Sequence, residues 1–177
     1  MKNKILMLHG WNASSQTGWF PAAKEKLEKM GYQVFVPDFP GNYYPKKEEW
    51  VNVIKNYIKD ENWIVITHSL GGVALLRFLE EVHVPISRAI LTATPFDEMK
   101  FEPINSFFEN ELNWDIIKKN LGKIDFIYGD EDQIVPLDHG KKYAHKLNAP
   151  LYVIPECQHL FTIDLDLLAK LIKENNG

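Results

Sequence analysis

The stretch "NWIVITHSLGGVALLRFL", residues 62–79, decides how this chain is read. An apolar run ends in Thr67-His68-Ser69, Gly71 and Gly72 follow at once, and a second apolar run of helical length comes next. A buried strand turning sharply into a buried helix has this pattern, and a serine on such a turn holds its hydroxyl exposed beside the helix N-terminus. Strand and helix come close there, so small residues are needed, and the two glycines supply them downstream. The full pattern G-x-S-x-G also asks for glycine upstream, where this chain has Thr67. On this stretch alone, Ser69 is either a catalytic nucleophile or a serine that caps a helix. His68 precedes it in the strand, where neighbouring side chains point to opposite faces. It is therefore read as a buried structural histidine rather than as the base for Ser69.

The same alternation runs along the whole chain. Short runs rich in Ile, Val and Leu occupy residues 4–9, 33–38, 63–68, 88–94, 123–129 and 151–156. Helix-period segments occupy 19–30, 47–59, 71–82, 113–121, 137–148 and 161–175. Strands apolar on both faces belong in a parallel sheet covered by helices, joined by right-handed crossovers. The expected fold class is α/β, six parallel strands with helices on both faces, in a single domain spanning residues 1–177. A chain of 177 residues can bury roughly 70% of its unfolded surface. In open sheets of this kind ligands sit beyond the carboxyl ends of the strands. His9, Asp38, Ser69, Asp132 and His159 all lie just after a strand-like run.

Composition narrows the function classes. The chain carries 20 Lys and Arg against 24 Asp and Glu, a net charge of −4, with no basic stripe. No nucleic-acid partner is expected. Lysines interleaved with glutamates, as in "KEKLEKM", read as a solvated helix face. The lone Cys157 excludes an internal disulfide and a cysteine-based zinc site, and it fits a reducing compartment. It reads as a small buried side chain. The histidines and acids show no H-E-x-x-H spacing, so neither metal nor cofactor is expected. The apolar run before His9 is too short for a secretory h-region, and no run approaches the ~20 residues of a membrane span. A cytoplasmic location without membrane association is expected, and a protein partner is left open.

A serine hydroxyl needs an imidazole to take its proton and a carboxylate to orient that imidazole. Both are present late in the chain, in the order Ser, Asp, His. "FIYGDEDQIVP" ends a strand and places three acids before the next helix. Asp132 is the choice for the orienting carboxylate, with Asp130 its rival and turn acids the plain alternative. His159 in "VIPECQHLF" follows the last strand and is the candidate base. His83 closes a helix, while His139 and His145 sit on a helix face, and all three read as solvated. Acyl transfer also needs donors for the carbonyl oxygen. The backbone N–H of Leu70 is one candidate and that of Trp11, in "LMLHGWNASS", the other, with His9 shaping this loop.

These residues together resemble the α/β-hydrolase superfamily. "LHGW" is similar to its oxyanion loop, "PDFPG" to the segment after the next strand, and "HSLGG" to its nucleophile elbow. "GDEDQIVP" resembles its acid loop and "QHLF" its histidine loop. The short chain, starting directly at the oxyanion strand, is similar to the small serine hydrolases of the retinoblastoma-binding protein nine family. That resemblance implies a minimal core with strand order 2-1-3-4-5-6, a Ser69–Asp132–His159 triad, no cofactor, and hydrolysis of small acyl esters.

Residues 95–114, "PFDEMKFEPINSFFENELNW", form a long connection rich in aromatics. Long segments above an active site often act as lids or pocket walls. The expected substrate is a small-molecule acyl ester, in an apolar pocket lined by Trp11, Phe96 and Phe101. The alternative is that these aromatics only pack a cap helix onto the core. The expected activity is that of a carboxylesterase acting through an acyl-enzyme. An amidase or peptidase using the same triad is a variant, and a non-catalytic binding protein on the same fold is a rival of another class.

Overall fold

The computed structural model describes residues 4–82 and 84–173. Its centre is a six-stranded sheet in the order β2-β1-β3-β4-β5-β6, with every neighbouring pair parallel. The strands are β1 (Lys4–Leu8), β2 (Gln33–Phe35), β3 (Trp63–His68), β4 (Ile86–Thr92), β5 (Leu121–Gly129) and β6 (Leu151–Ile154). Period-2 geometry sends successive side chains to opposite faces. Accordingly Leu6 and Leu8 enter one core, while Ile5 and Met7 enter the other. In β3, Trp63 and Val65 divide from Ile64 and Ile66 in the same way.

Helices cover both faces. On one face, α1 (Phe20–Lys29) buries Phe20, Ala23 and Leu27, and α6 (Leu165–Lys173) buries Leu168, Leu171 and Ile172. The opposite face carries α2 (Lys47–Tyr57), α3 (Leu70–Glu81), α4 (Trp114–Asn120) and α5 (Leu137–Leu147), which contribute Trp50, Phe78, Ile117 and Tyr143 to the larger core. The most enclosed of these is α3, in which ten of twelve residues are buried. No helix among the described residues is long and apolar enough to cross a membrane.

Element boundaries depart from the sequence expectations where local chemistry decides. The second strand stops at Phe35, two residues before Pro37, whose missing N–H cannot enter a ladder. The fifth begins at Leu121, directly after α4, so no loop separates them. The last helix starts at Leu165 rather than at residue 161, because Asp164 Oδ1 accepts from the N–H groups of Asp166 (2.8 Å) and Leu167 (3.2 Å) as an N-cap. Its expected last residues, 174 and 175, lie outside the described residues, as does His83. The long connection holds one short 3₁₀ helix, Glu102–Phe107.

Candidate active site

The carboxyl ends of β1, β3, β5 and β6 converge on one cavity of about 280 Å³. Ser69 follows β3 immediately, at φ 53° and ψ −126°. That region is costly for any residue with a side chain, about 1–3 kcal/mol, and is held only where the surroundings over-determine it. The surroundings here are tight. Ser69 N–H donates to Thr92 O (2.8 Å), and its carbonyl accepts from Gly72 N–H (3.0 Å). A Cβ on Gly71 would lie 2.5 Å from the carbonyl oxygens of Leu8 and His9, and one on Gly72 would lie 2.1 Å from Thr94 Oγ1. A Cβ on Gly10 would lie 2.9 Å from Ser69 Cβ, so the loop after β1 runs directly against the serine. Although Ser69 stands at the cap position of α3, its side chain makes no capping hydrogen bond. The helix-cap reading of Ser69 is therefore set aside.

Thr67, at the position where the motif asks for glycine, is fully buried, and its Oγ1 has no hydrogen-bond partner among the described residues. The turn nonetheless takes the sharp form, and the chain comes closest to its neighbours at Gly71 and Gly72 downstream, where a Cβ would clash.

His159 lies on the loop after β6 and is buried. Its Nδ1 donates to Asp132 Oδ2 at 2.8 Å. The other oxygen of Asp132 accepts the backbone N–H groups of Ile134 and Val135, each at 2.8 Å. The carboxylate is thus buried with three donors on it. Asp130 instead faces outward and accepts from the Cys157 N–H at 3.4 Å. With Nδ1 protonated toward Asp132, Nε2 of the neutral ring carries the lone pair. Ser69 and His159 line the same cavity.

Two further histidines frame the site. His9 donates from Nδ1 to Gly10 O (2.9 Å) and accepts the Phe39 N–H at Nε2 (3.0 Å), which requires the neutral ring. Burial lowers its pKa, partly offset by the bond to the Gly10 carbonyl and by Asp38. His68 donates from Nε2 to the His159 carbonyl (2.8 Å), and its ring lies 4.9 Å from that of His159. Burial, and then the neighbouring His159, lower its pKa to about 4. His68 therefore supports the backbone of the His159 loop, but it is partly rather than fully buried and also lines the cavity, so the expectation of a buried structural residue is met only in part.

The cavity is mostly apolar. Trp11, Met99, Phe101 and Ile104 line one side, and Trp19, Phe20, Leu160 and Phe161 the other. Trp11 is fixed by its indole N–H, which donates to Tyr43 O (2.9 Å), and by edge contact with Phe101 at 4.9 Å. Phe96 is a correction: it is not among the residues that line the cavity. Its ring turns away into the space between α4 and α5, stacked on Trp114 (6.0 Å) and edge-on to Tyr143 (4.8 Å). His139 is a second correction. It is buried rather than solvated, and its Nδ1 accepts the Phe96 N–H at 2.8 Å. His145 is exposed, as expected, whereas Cys157, expected to be buried, is only half-buried. Among the described residues no three His, Cys, Asp or Glu side chains are grouped to hold a metal ion.

A family model described as serine hydrolase matches residues 5–164. The chain belongs to the serine hydrolase family. It is 30% identical over 166 residues to YdeN of Bacillus subtilis (strain 168), covering 90% of this chain and 85% of that protein. It is 25% identical over 160 residues to the serine hydrolase RBBP9 of Rattus norvegicus, covering 88% of this chain and 85% of the rat protein. The crystal structure of the ydeN gene product from B. subtilis superposes with a TM-score of 0.91 at 26% identity, over 99% of this chain and 98% of that one. Est1E from Butyrivibrio proteoclasticus shares the fold at a TM-score of 0.75 and 15% identity, over 98% of this chain and 86% of that one. With the 2-1-3-4-5-6 parallel sheet, the architecture is that of an α/β-hydrolase, and the protein is a hydrolase.

Proposed function

We propose that Ser69, His159 and Asp132 form a catalytic triad and that the protein is a carboxylesterase-like enzyme for small acyl esters. One observation carries this reading: a strained serine and an imidazole held by a buried carboxylate face one apolar cavity. In the first half-reaction His159 Nε2 takes the hydroxyl proton as Ser69 Oγ attacks the ester carbonyl. The N–H groups of Leu70 and Trp11 receive the developing oxyanion. Leu70 is the first residue of α3, where N–H groups have no partner within the helix. Collapse of the tetrahedral intermediate expels the alcohol, which takes the proton from His159, and leaves the acyl group on Ser69. Water, deprotonated by His159, then releases the acid and restores the serine.

The leaving alcohol must pass His159. That places it beside Trp19, Phe20 and Leu160, which belong to the core under α1 and α6. The acyl group then lies against Trp11, Met99 and Phe101, which pack on the opposite core. A cavity of about 280 Å³ walled mostly by apolar side chains suits a small acyl group. The substrate is thus a small molecule rather than a nucleic acid or a membrane lipid, and the reducing cytoplasm is the proposed place of action.

Replacing Ser69 by Ala tests the assignment. The variant is expected to keep the wild-type circular dichroism spectrum and to lose cleavage of p-nitrophenyl butyrate, and unchanged turnover would refute the role of Ser69. Across p-nitrophenyl esters, kcat/KM should peak at short acyl chains. A steady rise toward long lipids contradicts the small pocket.

A further inference from the structure

One segment forms the acyl wall, with Pro95, Met99, Phe101 and Ile104 all facing the cavity. It is held at both ends by side chains from elsewhere. At the far end, Arg77 of α3 donates to the carbonyls of Phe107 (2.8 Å) and Asn110, and Glu80 accepts the Asn113 N–H (2.6 Å). At the near end three consecutive residues are tied to β5 and α5. Tyr128 OH donates to Thr94 O (2.5 Å), Tyr143 OH donates to Pro95 O (2.8 Å), and His139 Nδ1 accepts the Phe96 N–H (2.8 Å). Between the anchors, Met99 and Lys100 are both left-handed, at φ 51° and 56°. Two such residues in succession do not hold their conformation unaided, so the wall depends on its anchors.

Among the near-end anchors, His139 alone is an acceptor. The Phe96 N–H is part-buried, and His139 is the acceptor that satisfies it. The two tyrosines are donors whose burial raises their pKa values, so they stay protonated. We infer that His139 is a positioning residue for acyl binding: as the neutral acceptor for Phe96 N–H it fixes the wall formed by Pro95, Met99 and Phe101. This rests on the reading above that the cavity takes the acyl group. The residue does not itself line the cavity; it acts through Phe96.

Acceptance requires an unprotonated Nδ1. Burial lowers the pKa of His139, with Asp97 of the wall segment, Asp138 of α5 and Asp132 of the β5–α5 loop acting against it and Lys142 of α5 acting with it. Lys142 also lies over the Phe96 ring, 5.8 Å from its centroid. The ring is therefore neutral near pH 7, and acidification converts the acceptor to a donor facing a donor.

Affinity for uncleaved p-nitrophenyl butyrate tests this in a Ser69→Ala background, where turnover plays no part. Adding His139→Leu should weaken binding roughly 3- to 10-fold, the range expected for one lost hydrogen bond. Adding His139→Asn should restore it, since Asn Oδ1 stands where Nδ1 does and accepts at any pH. Lowering the pH until the His139 ring takes up its proton, followed by the NMR shift of its ring protons, should weaken binding when His139 is present and leave the Asn variant unchanged. Equal affinity with Leu, or an equal pH response with His and Asn, overturns the inference. If the Leu variant does not fold, the comparison of His with Asn decides alone. Labelling of Ser69 by a fluorophosphonate in the otherwise native protein reports separately on the catalytic assignment. Its absence would fail that assignment without touching the binding result.

Discussion

At the residue scale, the strain at Ser69 and the satisfaction of Asp132 are the informative features. A residue at φ 53° and ψ −126° sits where glycine alone is at ease. Ser69→Gly should therefore remove activity while relieving strain. After the added chain entropy of glycine, the net gain is about 1 kcal/mol, or roughly 2–4 °C in melting temperature for a chain of this size. A lower melting temperature by calorimetry would show that the serine is not strained. Asp132 holds the imidazole in the tautomer that leaves Nε2 free. Asp132→Asn should cut kcat by a factor on the order of 10⁴, whereas Asp130→Asn should leave it nearly unchanged. Steady-state kinetics on both variants distinguishes the two acids. The placement of Ser69, Asp132 and His159 just beyond strand ends was legible in the sequence because each follows an apolar run. The burial of His139 was not, because its neighbours Asp138, Lys141 and Lys142 give a solvated pattern and its partner Phe96 is 43 positions away.

At the element scale, the approach of α3 to β1 and β4 is what holds the serine turn in shape. Gly72 meets a threonine side chain, but Gly71 meets backbone carbonyls. Gly72→Ala should cost about 1–3 kcal/mol by overpacking, and adding Thr94→Ala should recover much of it. No side-chain truncation should rescue Gly71→Ala, because Leu8 and His9 offer only backbone there. Urea titrations of the single and double variants measure both. The strands were legible because the residues are apolar on both faces, which a parallel sheet covered on each side requires. The last helix was misplaced at its start because Phe161, read as helical, instead faces the cavity and Asp164 supplies the cap. Phe96 was misassigned for a related reason: the chain turns at Ala93, with φ 47°, and sends that ring under α5 rather than toward the serine.

At the scale of the whole molecule, three histidines are held neutral by burial, with pKa values below the usual 6.5. Above pH 6.5 both folded and unfolded chains leave them uncharged, and they contribute no pH dependence. Below it the unfolded chain takes up protons that the folded chain does not, so stability falls with falling pH. For His68 the loss runs from about 6.5 down to its folded value of about 4. The melting temperature should therefore decline between pH 6.5 and 5, and decline less in His68→Gln. A flat profile in the wild type would contradict the neutral state of these rings.

The whole account turns on one chemical property, an activated hydroxyl at residue 69. A fluorophosphonate probe reads it directly, since the phosphorus forms a lasting bond only to a serine whose proton can be removed. Mass mapping of the treated protein should find the adduct on the peptide containing Ser69, and labelling should disappear in His159→Ala. An unmodified protein, or an adduct on another residue with Ser69 untouched, would contradict the proposed mechanism.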